Sequence, residues 1–110
     1  MEFTETKEGA FLVLAVAGRM DTLTAPEFET RCAACLEAGN KRLVVDLAGL
    51  EYISSAGLRS ILSAAKKLKA AGGDMAFCAL TGIVAEVFAV SGFNKLLPVL
   101  PTREQALARA

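Results

Sequence analysis

Leu43-Val44-Val45-Asp46-Leu47, followed by Ala48-Gly49-Leu50-Glu51-Tyr52-Ile53 and then Ser54-Ser55-Ala56-Gly57-Leu58-Arg59, is the stretch whose reading decides the fold. Its first five residues are apolar around one aspartate, with the β-branched pair Val44-Val45 at their centre, the pattern of a short buried strand. The next six read as a loop. From Ser55 onward the apolar residues recur at three and four positions, with Leu58, Ile61, Leu62, Ala65 and Leu68 on one face, so a helix begins near Ser55. Lys66, Lys67 and Lys69 suit the negative end of that helix, and Gly72-Gly73 ends it. A strand that feeds a helix directly is half of a parallel crossover, so further strands are expected on both sides.

Upstream, Ala10 to Ala17 is a nearly continuous apolar run, preceded by a Glu8-Gly9 turn signal and by Thr4 to Lys7, a weak edge strand. After Gly18-Arg19-Met20-Asp21 comes Thr24-Ala25-Pro26-Glu27, which reads as a capping box with proline in the first turn. The helix it opens is predicted over Ala25 to Ala38, with Phe28, Cys32, Cys35 and Leu36 on one face and Gly39-Asn40 at its end. Downstream, Met75 to Leu80 predicts a third core strand, and Gly82 to Val90 a third helix whose Ile83, Val84, Val87 and Phe88 read as core. Leu96 to Val99 predicts a last strand with Pro98 at an edge, and Thr102 with Gln105 a cap for a short final helix. The expected fold is α/β: a mixed, mostly parallel five-stranded sheet with about four helices, the first strand antiparallel to its neighbour.

With 110 residues, 54% apolar and 22% charged, the chain reads as a single domain over residues 1–110, able to bury a core and not disordered. Twelve basic and twelve acidic residues cancel, which argues against nucleic acid or an anionic membrane as partner. Histidine is absent, so imidazole base chemistry and histidine metal ligation are excluded. The acidic start Met1-Glu2-Phe3-Thr4-Glu5 lacks the charge pattern of an export signal, and the longest apolar run is far shorter than the roughly 20 residues of a membrane helix. A cytoplasmic location with reduced thiols is expected for Cys32, Cys35 and Cys78.

Chemistry concentrates at the serine pair. Ser54 or Ser55 can cap the second helix by accepting a bond from an unpaired backbone N–H, and one cap needs only one serine. The other hydroxyl, followed by the small residues Ala56 and Gly57, then stands at the positive end of a helix dipole, a place that tolerates a phosphate. A phosphoryl group adds about −2 charge, and at about 6 Å from a carboxylate with an effective dielectric near 20 it is opposed by roughly 5 kcal/mol. The expected device is a charge switch, acting on a partner with acidic or apolar surface.

The run Tyr52-Ile53-Ser54-Ser55-Ala56-Gly57-Leu58, the turn Gly18-Arg19-Met20-Asp21 and the order of elements over nearly the whole chain resemble a STAS domain, specifically a stand-alone bacterial anti-sigma-factor antagonist. The resemblance implies a phosphorylation site at Ser55, with Ser54 the second choice, and a partner-binding set of Asp21, Ser54, Ser55, Ala56, Gly57 and Arg59. It implies as partners an anti-sigma serine kinase of the histidine-kinase-like ATPase type and a resetting serine phosphatase. Neither a cofactor nor a metal is expected, and no enzymatic activity. Where the family motif has aspartate before the acceptor this chain has Ser54, and where the motif has a second serine or threonine it has Ala56.

Two other readings stand beside this one. A STAS subunit that is not phosphorylated could stabilise another partner, such as a transporter ATPase, with Ser55 as contact surface. A small thiol-disulfide enzyme using Cys32 and Cys35 would need an exposed thiol of lowered pKa, but the pair lies two turns inside the first predicted helix and reads better as apolar filling. Asp21 before Thr22 can equally stabilise its own turn, and Arg59 can be a solvated surface residue.

Overall fold

The computed structural model describes residues 1–109; Ala110, the last residue of the expected domain, lies outside them. They form five strands, β1 (Glu2–Glu8), β2 (Phe11–Met20), β3 (Arg42–Ile53), β4 (Asp74–Cys78) and β5 (Val99–Leu100). Five helices accompany them: α1 (Ala25–Glu37), α2 (Ser55–Ala70), α3 (Gly82–Val90), α4 (Phe93–Leu96) and α5 (Arg103–Leu107). The sheet runs β1-β2-β3-β4-β5, with β1 antiparallel to β2 and the other pairs parallel. Mixed α/β topology with one antiparallel edge is the expected class.

β2 is apolar on both faces because both are covered. Leu12, Leu14 and Val16 join the main core with Phe28 and Cys32 of α1, Ile61 and Leu68 of α2, and Phe88 of α3. Phe11 and Val13 turn the other way, into a smaller cluster with Val44, Cys78 and Ala106 of α5. α5 is tied down by charge as well as packing: Arg103 donates from Nε and Nη2 to Asp46 Oδ2, each at 2.9 Å, and reaches Glu8 at 3.5 Å. Thr102 caps this helix as expected, accepting from the Gln105 N–H at 3.1 Å.

Several expectations are corrected. Residues 48–53, read as a loop, continue β3 to Ile53. Register shifts against β2 give β3 one extra residue between Asp46 and Gly49 and another between Leu50 and Tyr52, and these bulges break the period-two pattern that marks a strand. The Thr24–Glu27 capping box does not form, because the Thr24 hydroxyl donates to the Arg19 carbonyl and accepts from the Asp21 N–H. Leu96, expected in the last strand, ends the one-turn helix α4, and of that strand only Val99 remains, joined in β5 by Leu100. The core side of α2 is rotated from the expected one: Ile61 and Leu68 are buried as read, together with Gly57, Ser60 and Ala64, whereas Leu58, Leu62 and Ala65 are half-buried. Both long helices end as their glycines suggest. In α1 the Gly39 and Asn40 N–H groups return to Leu36 and Cys35, and in α2 those of Gly72 and Gly73 return to Lys69 and Leu68.

Candidate functional site

The C-terminal ends of β2 and β3 bring the sequence's two points of interest to one end of the sheet. Met20 pairs with Ile53 at the last rung, and the Ser54 N–H donates to the Met20 carbonyl at 2.9 Å, so the turn starting at Asp21 leaves the sheet beside the start of α2. Helix α2 can approach this closely because position 57 has no side chain. An ideal Cβ there would lie 2.7 Å from Ile53 Cγ1 and 3.0 Å from both Cγ and the carbonyl oxygen of Met20. Gly57, expected in the partner-binding set, is buried, and its lack of bulk seats the helix on the sheet.

The two serines have different environments. Ser54 is the N-cap of α2, and its Oγ accepts from the Gly57 N–H at 3.2 Å. Ser55, the first helical residue, is exposed and takes no part in that cap. Ala56 is half-buried, and Arg59, one turn further along, is exposed. The accessible groups at this helix start are thus the Ser55 hydroxyl and the Arg59 guanidinium, beside backbone N–H groups at the positive end of the helix.

Asp21 does what a turn-forming aspartate does. Its Oδ1 accepts from the Leu23 N–H at 3.0 Å and the Thr24 N–H at 3.1 Å, while its own N–H donates to Thr24 Oγ1 at 2.9 Å. Bonding by the Thr24 N–H, more than by any other group, holds its carboxyl below the usual aspartate range, with Leu23 and the positive charge of Arg19 acting in the same direction. Sequence reasoning passed over three neighbours. Leu23 stands 86% exposed at the tip of this turn, and Arg19 lies 4.3 Å above the Tyr52 ring on the adjoining strand ends. A lone leucine among Asp21, Thr22 and Thr24 was the available signal for the first. The Arg19–Tyr52 stack depends on the β3 bulges and had none.

Cys32 and Cys35 are buried, and burial pushes their thiols up to about 12 and about 11. A thiol-disulfide enzyme needs the opposite on both counts, so burial of the pair counts against that reading. No helix among the described residues is long and apolar enough to cross a membrane.

Comparison with known proteins places these features in a family. The STAS domain profile matches residues 3–106. A Bordetella bronchiseptica protein provisionally named the anti-sigma factor antagonist BtrV is 40% identical over 108 residues, spanning 98% of this chain and 93% of its own. Among solved structures, an anti-sigma factor antagonist from Mycobacterium paratuberculosis is 26% identical and superposes with a TM-score of 0.85 over 96% of this chain and 90% of the other. The Bacillus cell fate determinant SpoIIAA in its phosphorylated form, 18% identical with a TM-score of 0.70 over 96% of each chain, shares the fold. The names of these relatives are those of regulatory proteins.

Proposed function

We propose that this chain, which belongs to the STAS domain family, is an anti-sigma-factor antagonist that binds an anti-sigma kinase and is released when Ser55 is phosphorylated. One observation carries the reading: the structure divides the serine pair, occupying the Ser54 hydroxyl in the cap and leaving the Ser55 hydroxyl exposed. The names of the relatives point to the partner class, and the phosphorylated form of SpoIIAA shows that the fold carries the modification in at least one protein. Replacement of the family's aspartate by Ser54 removes a charge from the site but keeps the local architecture, since serine and aspartate cap helices about equally well.

The chain's own residues define what the switch can do. Phosphate on Ser55 lies at a helix start that favours anions and one turn from Arg59, an i,i+4 spacing that lets the guanidinium face it. The Gly57 seat and the Ser54 cap lie behind it, so the backbone has no cause to rearrange. Modification then changes surface charge over a fixed shape, and a partner surface that is acidic or apolar is expelled; about 3 kcal/mol of opposition weakens binding roughly a hundredfold. A serine phosphatase resets the cycle.

The test is incubation with ATP and each purified serine kinase of the histidine-kinase-like ATPase type from the source organism, followed by mass spectrometry. A mass gain of one phosphoryl group on Ser55, lost in Ser55→Ala, is expected, together with weaker kinase capture by Ser55→Asp. Equal capture of wild type and Ser55→Asp would overturn the switch and favour a constitutive binding role.

A further inference from the structure

We propose that Leu23 is an apolar anchor taken into a pocket of the same anti-sigma partner that meets Ser55, and that Asp21 serves this contact by holding the turn that presents Leu23, not by presenting its charge. The inference rests on the proposed function for its partner and on this chain's geometry for its residues.

An exposed leucine alone means little, because folded surfaces contain many apolar atoms. Leu23 differs in how it is held. Its own N–H is bonded to Asp21 Oδ1, and the next residue is pinned twice: the Thr24 N–H donates to the same oxygen at 3.1 Å, and the Thr24 hydroxyl donates to the Arg19 carbonyl at 2.7 Å. The Ala25 N–H closes the turn on the Asp21 carbonyl at 2.8 Å. A leucine 86% exposed on a turn this constrained has already lost its backbone freedom on folding, so association costs mainly the rotamer entropy of the one side chain.

Its position selects the partner. The turn departs from Met20, whose carbonyl accepts the Ser54 N–H, so Leu23 and Ser55 follow directly on the same end of the sheet, where β2 and β3 stop. One rung before Met20 and Ile53, Arg19 is stacked on Tyr52, a cation on an aromatic face at the same strand ends, of the residue types that dominate interface energetics. A surface with a central apolar anchor and flanking polar groups fits a protein partner with an apolar pocket near its phosphoryl-transfer site. Asp21 has one oxygen committed to two backbone N–H groups, which an asparagine side chain can also accept.

The experiment is calorimetric titration of the purified kinase that binds the wild-type chain with five variants. Leu23→Ala should bind roughly tenfold or more weakly, Leu23→Met within about threefold of wild type, and both should keep the wild-type unfolding midpoint because the side chain is exposed. Asp21→Asn should bind within about threefold of wild type, whereas Asp21→Ala should weaken binding as much as Leu23→Ala. Combining Asp21→Ala with Leu23→Ala should weaken it no further, since one acts through the other. Wild-type affinity in Leu23→Ala overturns the anchor. Asp21→Asn binding as weakly as Asp21→Ala overturns the positioning role and assigns Asp21 a role by charge. If no such kinase binds the wild-type chain, the proposed function itself fails and the anchor with it, an outcome distinct from a bound kinase that ignores Leu23.

Discussion

Removing the two serine hydroxyls one at a time separates fold from signal. Ser54 Oγ accepts from the Gly57 N–H, and Gly57 is buried, so Ser54→Ala leaves a donor that water reaches poorly. Loss of a cap costs about 0.5–2 kcal/mol, and the buried donor puts this case near about 1–1.5 kcal/mol. A chain of 110 residues has an unfolding entropy of roughly 0.23 kcal/mol/K near 60 °C, so the melting temperature should fall by about 4–6 °C. Ser55→Ala removes an exposed hydroxyl outside the cap and should stay within about 0.5 kcal/mol of wild type. Ser55→Asp places a carboxylate at the first helical position and should be neutral or stabilising by about 0.3–1 kcal/mol. Urea unfolding of the four proteins with a common m value checks all of this, and phosphorylation should persist on Ser55 in Ser54→Ala. If Ser55→Ala destabilised the chain as much as Ser54→Ala, the hydroxyls would share the cap and the division of labour would be refuted.

Gly57→Ala should lower stability by about 1–2 kcal/mol, because crowding against Ile53 and Met20 outweighs the roughly 1 kcal/mol gain in helix propensity; an unchanged or raised urea midpoint would show that α2 can lift without cost. Arg103→Ala should cost roughly 2 kcal/mol, a buried-pair penalty discounted for the third of the arginine that remains exposed, since it strands the buried Asp46 carboxylate; Asp46→Asn with Arg103→Ala should recover part of the loss, as read by thermal melts. The thiols of Cys32 and Cys35 stay protonated in the fold to about 12 and about 11, while in the unfolded chain they ionise near 9. Unfolding is therefore favoured as pH rises through that window, and their stabilising effect is complete only below pH 9. Urea midpoints measured from pH 8 to 10.5 should fall, less steeply in Cys32→Ala with Cys35→Ala, and disulfide reagents should label the folded chain slowly at pH 8.

What the sequence made legible were features governed by local rules. Gly82–Val90 is a helix with the bounds its apolar run and flanking residues suggested, and Thr102 caps α5 through the Gln105 N–H. What stayed hidden depended on residues distant in the chain. β3 runs six residues past Leu47 because β2 offers it a ladder through two bulges, and a bulged strand has no period to detect. Thr24 looked like a helix cap, but the Arg19 carbonyl, left free where β2 ends, claims its hydroxyl. Asp21 Oδ1 then accepts the Leu23 and Thr24 N–H groups, so the turn reading and the site reading of this aspartate are not alternatives. At the serine pair the residue types pointed to a cap and a free hydroxyl, and only the backbone path decided that Ser54 is the cap and Ser55 is free.

The same backbone path explains why a charge at position 55 should act on a partner and leave the fold alone. A shape switch needs an element with two packings of similar energy. Helix α2 has no such freedom at its start. The Ser54 N–H is bonded to Met20, its Oγ to Gly57, and Gly57 lies too close to Ile53 and Met20 for the first turn to slide. One turn later the buried Ser60 hydroxyl donates to the Ala25 carbonyl at 2.7 Å and fixes α2 against the first residue of α1. The helix start and the Asp21 turn are therefore braced against each other, and a phosphoryl group added to the outward hydroxyl meets a surface that cannot yield. Its electrostatic energy can be relieved only by counter-ions, by Arg59, or by departure of whatever is bound to that surface.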